Sequence, residues 1–321
     1  MEARLLDTKD LKILSELDVN ARVPLSVVSK KTKLSKDIIS YRLKHLEAKK
    51  VILSYYAVID AAKIGYNIYR VFLKLSDISK ENALIEYGKK VPWIGWIIKT
   101  YGEWDIWLLI WASTMGSFEE KYDDLMFNFS NCIENKYVSP VFEIQQFRHD
   151  YLYGTKREEG FTIGDDTQIV KLDETDIELL KILANNARTP TAIIAQRLRL
   201  SPNTIKARIN RLLEKKVIVT FKTKVNTNLL GYDHFKVFLE LENITKEKLS
   251  KLSTTLKMNP HVIYVTKALG FADIEFEIVV AGKNKLYEYL RALNLEFPDL
   301  IKNHKTLLFY EEPRIDYAPL T

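Results

Sequence analysis

The chain contains one long internal repeat. Residues 7–75 align with residues 173–241 at a constant offset of 166, without a gap, and 23 of the 69 aligned positions are identical. A repeated unit of this length is a complete folding module, because the units of solenoid proteins span only about 20–50 residues. The 321 residues are therefore predicted to form two copies of one fold, joined in tandem.

The first part of each module predicts three short helices. Asp7 and its counterpart Asp173 are suitable N-caps for the first helix, and Ser35 and Ser201 are suitable N-caps for the third. A tight turn separates the second helix from the third, and apolar residues recur on the inner face of each helix. This succession predicts a helix-turn-helix unit, in which the later helix reads the major groove of DNA.

Positive charge is concentrated in these units, although the net charge of the chain is only +6. Residues 24–58 contain eight Lys and Arg against two Asp and Glu, and residues 190–226 contain nine against one. Basic and amide-bearing side chains on the outer face of the third helix suit contacts with DNA. The candidate DNA-binding residues are Lys36, Ser40, Tyr41, Arg42, Lys44, His45, Asn203, Lys206, Arg208, Asn210 and Arg211. Arg42 and Arg208 occupy the same helical position, where each could instead pair with an acidic residue of its own domain.

The second part of each module predicts strands and helices in the order β-α-β-β-α-β, which is the ferredoxin-like arrangement. The predicted fold class is therefore α+β, with two winged or helix-turn-helix DNA-binding domains alternating with two ferredoxin-like domains. The predicted boundaries are helix-turn-helix domain 1 at 1–56, ferredoxin-like domain 1 at 57–147, a linker at 148–170, helix-turn-helix domain 2 at 171–222, and ferredoxin-like domain 2 at 223–321. Several glycines and a Lys-Arg-Glu-Glu run predict the linker.

Several short motifs occur twice, in the same order and with similar spacing. They are Asn20-Ala21-Arg22-x-Pro24 with Asn186-Ala187-Arg188-x-Pro190, Leu34-Ser35 with Leu200-Ser201, Val51-Ile52 with Val217-Ile218, and Gly102-x-x-Asp105 with Gly270-x-x-Asp273. With these motifs each module resembles a complete member of the Lrp/AsnC family of transcriptional regulators, over nearly the whole chain. Two features depart from the family pattern: the tandem layout, and Lys-Lys before Val-Ile where members commonly carry Gly.

The resemblance implies three properties: double-stranded DNA as a partner, a homo-oligomer of two or more chains formed through the ferredoxin-like sheets, and a small amino-acid effector. It places the effector near the Gly-x-x-Asp turns, where an Asp could take an ammonium group. The candidate effector-binding residues are Gly102, Trp104, Asp105, Gly270 and Asp273. The alternative for each turn is a structural one, in which the Asp accepts backbone N–H bonds.

No pattern in the sequence indicates catalysis, a cofactor or a metal site. The five histidines lack metal-ligand spacing, and no nucleophile or phosphate-binding motif occurs. We therefore predict a non-enzyme with no cofactor, no metal and no catalytic residues. Two alternatives remain open: a siroheme decarboxylase-like enzyme of the haem pathway, because those enzymes resemble the same two-part fold, and an architectural DNA-binding protein without an effector.

Three features of the sequence bear on location. It has one cysteine, no signal-peptide pattern at its start, and no apolar run of membrane-spanning length. Together they predict a cytoplasmic protein that makes no membrane contact.

The outer faces of the two predicted sheets differ in charge. Strand alternation places on the outer face of module one Arg70, Phe72, Lys74, Trp107, Leu109 and Trp111. The corresponding residues of module two are Lys236, Phe238, Glu240, Glu275, Glu277 and Val279. Because two copies of the acidic face would repel each other, we expect the sheet of module one to pair with that of module two, within one chain or between two. The alternative is that Glu275 and Glu277 lie in solvent on an unpaired sheet.

Overall fold

A computed structural model describes residues 6–155, 160–164, 168–316 and 318–319. Module one comprises α1 (Thr8–Val19), α2 (Leu25–Thr32), α3 (Lys36–Ala48), β1 (Ile52–Ile59), β2 (Asn67–Leu75), α4 (Glu81–Lys90), β3 (Ile94–Tyr101), β4 (Ile106–Ala112), α5 (Met115–Phe129) and β5 (Ile133–Gln146). The connecting segment contains α6 (Asp150–Tyr153) and β6 (Phe161–Ile163). Module two comprises α7 (Glu174–Asn185), α8 (Thr191–Leu198), α9 (Pro202–Glu214), β7 (Ile218–Val225), β8 (Asp233–Leu241), α10 (Lys246–Met258), β9 (Val262–Ala268), β10 (Ile274–Val280), α11 (Lys283–Glu296) and β11 (Ile301–Ile315).

The predicted helix caps are confirmed. The Asp7 carboxylate accepts the N–H of Asp10 at 2.9 Å, and Asp10 in turn accepts the N–H of Asp7 at 3.1 Å, which completes a capping box at α1. The same reciprocal box begins α7, between Asp173 and Asp176. The Ser201 hydroxyl caps α9 by accepting the N–H of Thr204 at 3.1 Å.

The strands that follow the helix-turn-helix units join the two modules. β1 pairs antiparallel with β7 in a two-stranded ribbon. The predicted domain boundaries at 56/57 and 222/223 fall inside these strands, because the apolar run that ends each helical unit continues into the ribbon. Each strand also accepts a backbone hydrogen bond from the helix-turn-helix unit of the other module. Ala187 N–H donates to Tyr55 O on β1 at 2.9 Å, and Ala21 N–H donates to Phe221 O on β7 at 2.8 Å.

The six helices and the ribbon enclose one continuous hydrophobic core. Side chains from both modules contribute to it, among them Ile13, Leu17, Ile39, Leu180, Leu183 and Ile209. The two helix-turn-helix units therefore form a single helical body, which we define as α1–α3, α7–α9 and the β1/β7 ribbon. A shared core of this kind fixes the relative position of the two units.

The ferredoxin-like halves also merge into one structure. Their strands run in the order β2-β4-β3-β11-β8-β10-β9-β5, and β5 pairs with β2, so that eight strands close into a barrel. The two joints between modules are β3 with β11 and β9 with β5. Closure uses the strand edges of both sheets within one chain, so the sheets through which the sequence predicts a homo-oligomer already have their partners.

The connecting segment is more ordered than a linker. β6 pairs with β5 beside the barrel, and α6 contacts α1 of the helical body. The Lys-Arg-Glu-Glu run that helped to predict a linker, residues 156–159, lies outside the described residues. Among the helices that the structure describes, none is long and apolar enough to cross a membrane.

Candidate nucleic-acid interface and the charged barrel interior

The outer faces of α3 and α9 are open to solvent, as the candidate DNA contacts require. On α9, Ile205, Ile209 and Leu212 are buried, which turns the opposite face outward. The exposed candidates on the two helices are Lys36, Tyr41, Lys44, His45, Asn203, Lys206, Asn210 and Arg211, and Ser40 is half-buried. Tyr41 is 71% exposed and stacks on His45, so the face of α3 is more aromatic and less basic than that of α9.

Arg42 and Arg208 lie at the margins of these faces and pair within their own domains. Arg208 Nη1 lies 2.8 Å from carboxylate oxygens of both Asp173 and Asp176, the two residues of the α7 capping box. Arg42 makes the equivalent contacts with the α1 capping box. The hydrogen bond from Arg208 and the backbone N–H of Asp176 lower the pKa of Asp173. Both arginines therefore follow the second possibility that the sequence left open, a pairing with acidic residues of their own domain.

The repeated Asn-Ala-Arg motif clamps the two helix-turn-helix units together. The Arg22 guanidinium donates to Thr189 O at 2.8 Å and also to Ala187 O, both in the other unit. Reciprocally, the Arg188 guanidinium donates to Ala21 O at 2.6 Å. Burial, and then the nearby charge of Arg188, lower the pKa of Arg22.

The Gly-x-x-Asp turns are engaged in the structure of the barrel. Asp105 accepts the Leu75 N–H at 2.8 Å and pairs with Lys74 at 2.8 Å, while Asp273 accepts the Leu241 N–H at 2.7 Å. These contacts match the alternative in which each Asp is a structural acceptor. Trp104, the aromatic residue among the effector-binding candidates, is 5% exposed and packs inside the barrel with Phe72.

Both glycines of these turns lie against the opposite module. Gly102 has a φ of +150°, and a Cβ there would lie 2.9 Å from the carbonyl oxygen of Thr306 on β11. A Cβ on Gly270 would lie 2.8 Å from the hydroxyl oxygen of Tyr137. Glycine at these two positions therefore permits the close approach of the modules.

Charged side chains that the sequence places on the outer faces of the two sheets lie inside the barrel. Arg70 grips Glu275 with two hydrogen bonds, one of them 2.7 Å long from Nη2 to Oε1. Lys236 lies 3.1 Å from Glu275 and 3.3 Å from Glu277, and His234 lies 3.0 Å from Glu277. Burial raises the pKa of each glutamate, but the opposing cations outweigh burial, so both pKa values lie below their usual range.

The predicted pairing of unlike sheets is confirmed, within one chain. Arg70 of module one and Glu275 of module two are 2% and 4% exposed and face each other across the interior, so the alternative of solvent-exposed glutamates is wrong. One detail differs from the expectation. Lys74 lies at the strand end on Asp105, and the second cation of the interior is Lys236 of module two itself.

Sequence reasoning missed a second buried charge cluster, between α1 and the ribbon. Asp18 is 1% exposed, and its carboxylate lies 2.5 Å from Lys222 Nζ on β7. The same carboxylate accepts the backbone N–H of His149 at 2.8 Å and lies 3.2 Å from its Nδ1. The repeat held a signal, because the counterparts of Asp18 and Lys222 are the uncharged Ala184 and Tyr56, so each of the two positions is charged in only one module.

The chain is similar in sequence to a known domain family and to known regulators. The model of the AsnC-type helix-turn-helix domain matches residues 6–47 and 172–213, which are the two helical units. The HTH-type transcriptional regulator FL11 of Pyrococcus furiosus is 32% identical over 102 residues, which cover 32% of this chain and 68% of the regulator. The chain belongs to the Lrp/AsnC family. FL11 of Pyrococcus horikoshii is 29% identical over 121 residues, or 38% of this Lrp/AsnC chain and 79% of that protein.

A solved structure resembles this Lrp/AsnC chain over almost its full length. The siroheme decarboxylase NirDL superposes with a TM-score of 0.65 and covers 97% of this chain and 93% of its own, at 12% sequence identity. At that identity the similarity establishes a shared fold, since one fold hosts many functions. The chain therefore combines a fold similar to that of NirDL with sequence relatives that are HTH-type transcriptional regulators.

Proposed function

We propose that the protein is a sequence-specific regulator of transcription, modulated by a small amino-acid-like effector, in which a single chain supplies both readers of double-stranded DNA. The observation that carries this proposal is the pair of exposed helices α3 and α9 on one body with one core. In two-fold helix-turn-helix proteins, two such helices read half-sites at a fixed separation. Because α3 and α9 carry different side chains, the preferred site is asymmetric.

The two exposed cations of α9 should supply phosphate contacts. We expect Lys206→Gln with Arg211→Gln to weaken DNA binding and to lower the log–log salt slope by about 1.8, since each lost phosphate contact contributes about 0.9. Arg208 is left intact, because it pairs with both carboxylates of the α7 capping box, whereas Arg211 pairs with Asp176 alone. Affinity is measured by fluorescence anisotropy on selected duplexes across a salt series.

The matched control removes two exposed charges from the barrel helices, Lys246→Gln with Lys283→Gln. This variant should keep the slope of the wild-type protein. An unchanged slope in the α9 variant would contradict the assignment of that helix to DNA. If the wild-type protein retained no genomic fragment above background at physiological salt, the regulator proposal itself would fail.

The arginine clamp should fix the separation of the two readers. Arg22→Ala with Arg188→Ala removes hydrogen bonds that cross between the units, so the variant should accept half-site spacings that the wild-type protein rejects by at least about tenfold. Binding to a set of duplexes that differ in spacing by single base pairs measures this. Arg291→Ala on α11 is the control. A clamp variant that is weaker at every spacing by the same factor would show that the arginines support stability alone.

The rival assignment to siroheme chemistry has a direct discriminator. Siroheme absorbs visible light, and a saturable change in its spectrum on mixing with the purified protein would favour that assignment. On the proposal made here the spectrum stays unchanged, while DNA fragments are retained. Among the residues that the structure describes, no group of three or more His, Cys, Asp and Glu side chains is arranged to hold a metal ion.

A further inference from the structure

Two large apolar side chains lie exposed on the outer face of α3. Tyr41 is 71% exposed at the centre of that face, and Ile38, three positions earlier, is 41% exposed. Residues three positions apart on a helix are neighbours, so these side chains form one continuous apolar surface. We define Ile38 and Tyr41 as the apolar pair of α3.

The equivalent positions of α9 carry smaller residues. The repeat aligns Ile38 with Thr204 and Tyr41 with Ala207. Both helices bury apolar residues on the opposite face, toward the shared core. The fold therefore does not require large apolar groups on the outer face, and the apolar pair belongs to one reader alone.

A neighbouring ring orients the side chain of Tyr41. The rings of Tyr41 and His45 stack with their centroids 6.3 Å apart and their planes inclined by 11°. A side chain that is already ordered loses less conformational entropy when a ligand packs against it. The stack thus prepares the ring of Tyr41 for a packing contact. The rival role for this residue is a hydrogen bond from its hydroxyl group to a phosphate oxygen.

The outer face of α3 attracts phosphate less strongly than that of α9. Lys206 and Arg211 place two positive charges on the face of α9. The equivalent residues of α3 are Ser40 and His45, and Asp37 adds a negative charge beside them. Because electrostatic attraction to phosphate is independent of sequence, a reader with less of it depends more on contacts with the bases.

The major groove presents one kind of apolar group to such a reader. Its base edges carry hydrogen-bond donors and acceptors, together with the C5 methyl group of thymine. A large apolar side chain against a guanine or cytosine edge would cover polar groups that then lose their water without gaining a partner. Against thymine it packs on the methyl group. The amides of Asn203 and Asn210, exposed on α9, suit adenine instead, because an amide pairs with its N6 and N7 atoms.

We propose that α3 recognises its half-site through thymine methyl groups that pack against Ile38 and the ring of Tyr41, whereas α9 recognises adenine through Asn203 and Asn210. The assignment rests on the proposed function and names the base groups that each reader selects. The two half-sites then differ in the chemistry by which they are read as well as in sequence.

Deoxyuridine tests the assignment of α3 one methyl group at a time, since it replaces thymidine without changing the hydrogen-bonding groups or the charge of the duplex. Thymines are replaced singly in a duplex that the wild-type protein selects from a random library. At the positions read by α3 we expect binding about fourfold weaker for each packed methyl group, with an unchanged salt slope. Equal binding of both duplexes at every position would overturn the assignment.

Variants locate the methyl contact. Ile38→Ser with Tyr41→Ser should bind the thymidine and deoxyuridine duplexes equally. Phe127→Ser removes an 85% exposed aromatic side chain from α5 of the barrel, and this control should keep the wild-type penalty. A penalty that survives in the α3 variant would place the contact on other residues and contradict the proposal.

Tyr41→Phe separates the methyl contact from the rival contact with phosphate. It keeps the ring and removes the hydroxyl group, so it should retain both the affinity and the deoxyuridine penalty of the wild-type protein. A loss of affinity as large as that of Tyr41→Ser would assign the residue to phosphate instead.

The base analogue 7-deazaadenine tests α9, because it lacks the N7 acceptor. In the half-site read by α9 we expect binding at least about fivefold weaker, and no such loss in Asn203→Ala with Asn210→Ala. Indifference of the wild-type protein to this analogue would contradict the assignment of α9. A wild-type protein that selects no duplex contradicts the regulator itself, whereas one that selects a duplex and ignores both analogues contradicts only the base assignments.

Discussion

Reversing the two interior glutamates is expected to prevent closure of the barrel. Glu275→Lys with Glu277→Lys would place four cationic side chains in one buried space with Arg70 and Lys236, where no solvent screens them. A buried charge without a partner costs several kcal/mol, and here every pair becomes a repulsion. We expect the variant to lose its cooperative thermal transition and to elute as an expanded or aggregated species in size-exclusion chromatography.

Partner reversal and a milder variant make this test decisive. Arg70→Glu with Lys236→Glu, added to the first change, restores opposite charges and should recover part of the transition. Glu275→Gln alone strands Arg70 and should lower the free energy of unfolding by about 3–5 kcal/mol. Glu103→Gln is the control, because its pair with Lys305 is exposed and contributes about 0–1 kcal/mol. A Glu275→Gln melt equal to that of the control would contradict a role for these charges in joining the modules.

The sequence predicted the elements that depend on local chemistry. Capping residues and helical periodicity placed α1, α3, α7 and α9, since a cap such as Asp7 acts within one turn of helix. Strand alternation also identified the interior charges, because side chains of period two reach one face whichever strand lies opposite. The pairing of a basic face with an acidic one followed from that alternation, but which cation meets which glutamate did not, since Lys74 pairs with Asp105 and Lys236 takes its expected place.

What escaped prediction depends on contacts between the modules. The ribbon, the closure of the barrel and the arginine clamp each join residues more than 100 positions apart, for which a single sequence holds no register. Helix periodicity also could not tell Arg208 from Arg211 as DNA contacts. The capping box of α7 separates them by degree, because Arg208 pairs with both of its carboxylates, whereas Arg211 pairs with Asp176 alone and its side chain stays 46% exposed.

Neutralising Asp18 is expected to destabilise the packing of α1 of module one against β7 of module two, inside the helical body. Burial would raise the pKa of Asp18, but the charges of Lys222 and His149 outweigh it and hold this pKa well below its usual range. Asp18→Asn leaves Lys222, itself 2% exposed, without its counter-ion. We expect a loss of about 3–5 kcal/mol in the free energy of unfolding. For a chain of this length that corresponds to a Tm lower by about 5–8 °C.

The repeat itself supplies the compensating variant. Asp18→Ala with Lys222→Tyr installs the pair that module two and module one already use at the equivalent positions, where Ala184 and Tyr56 are both buried. Removing both charges together should therefore cost less than removing Asp18 alone, and a double variant as unstable as Asp18→Asn would contradict the charge argument. Glu178→Gln, which breaks an exposed pair with Lys181 on α7, should change Tm little.

The pH dependence of stability gives the same cluster a second readout. A carboxyl whose folded-state pKa lies below its unfolded value of about 3.9 binds fewer protons in the native state. Its contribution is therefore complete above the unfolded pKa and is lost as pH falls below about 5 and through the lower folded pKa. Urea unfolding between about pH 3 and pH 7 should show a shallower acid decline in Asp18→Asn than in the wild-type chain, because that proton no longer binds on unfolding. Glu275, Glu277 and Asp173 contribute to the remaining slope, because their pKa values are lowered in the same direction. Identical slopes in the two proteins would mean that the pKa of Asp18 is the same in the folded and unfolded chains, and the ion pair with Lys222 would not then stabilise the packing of α1 against β7.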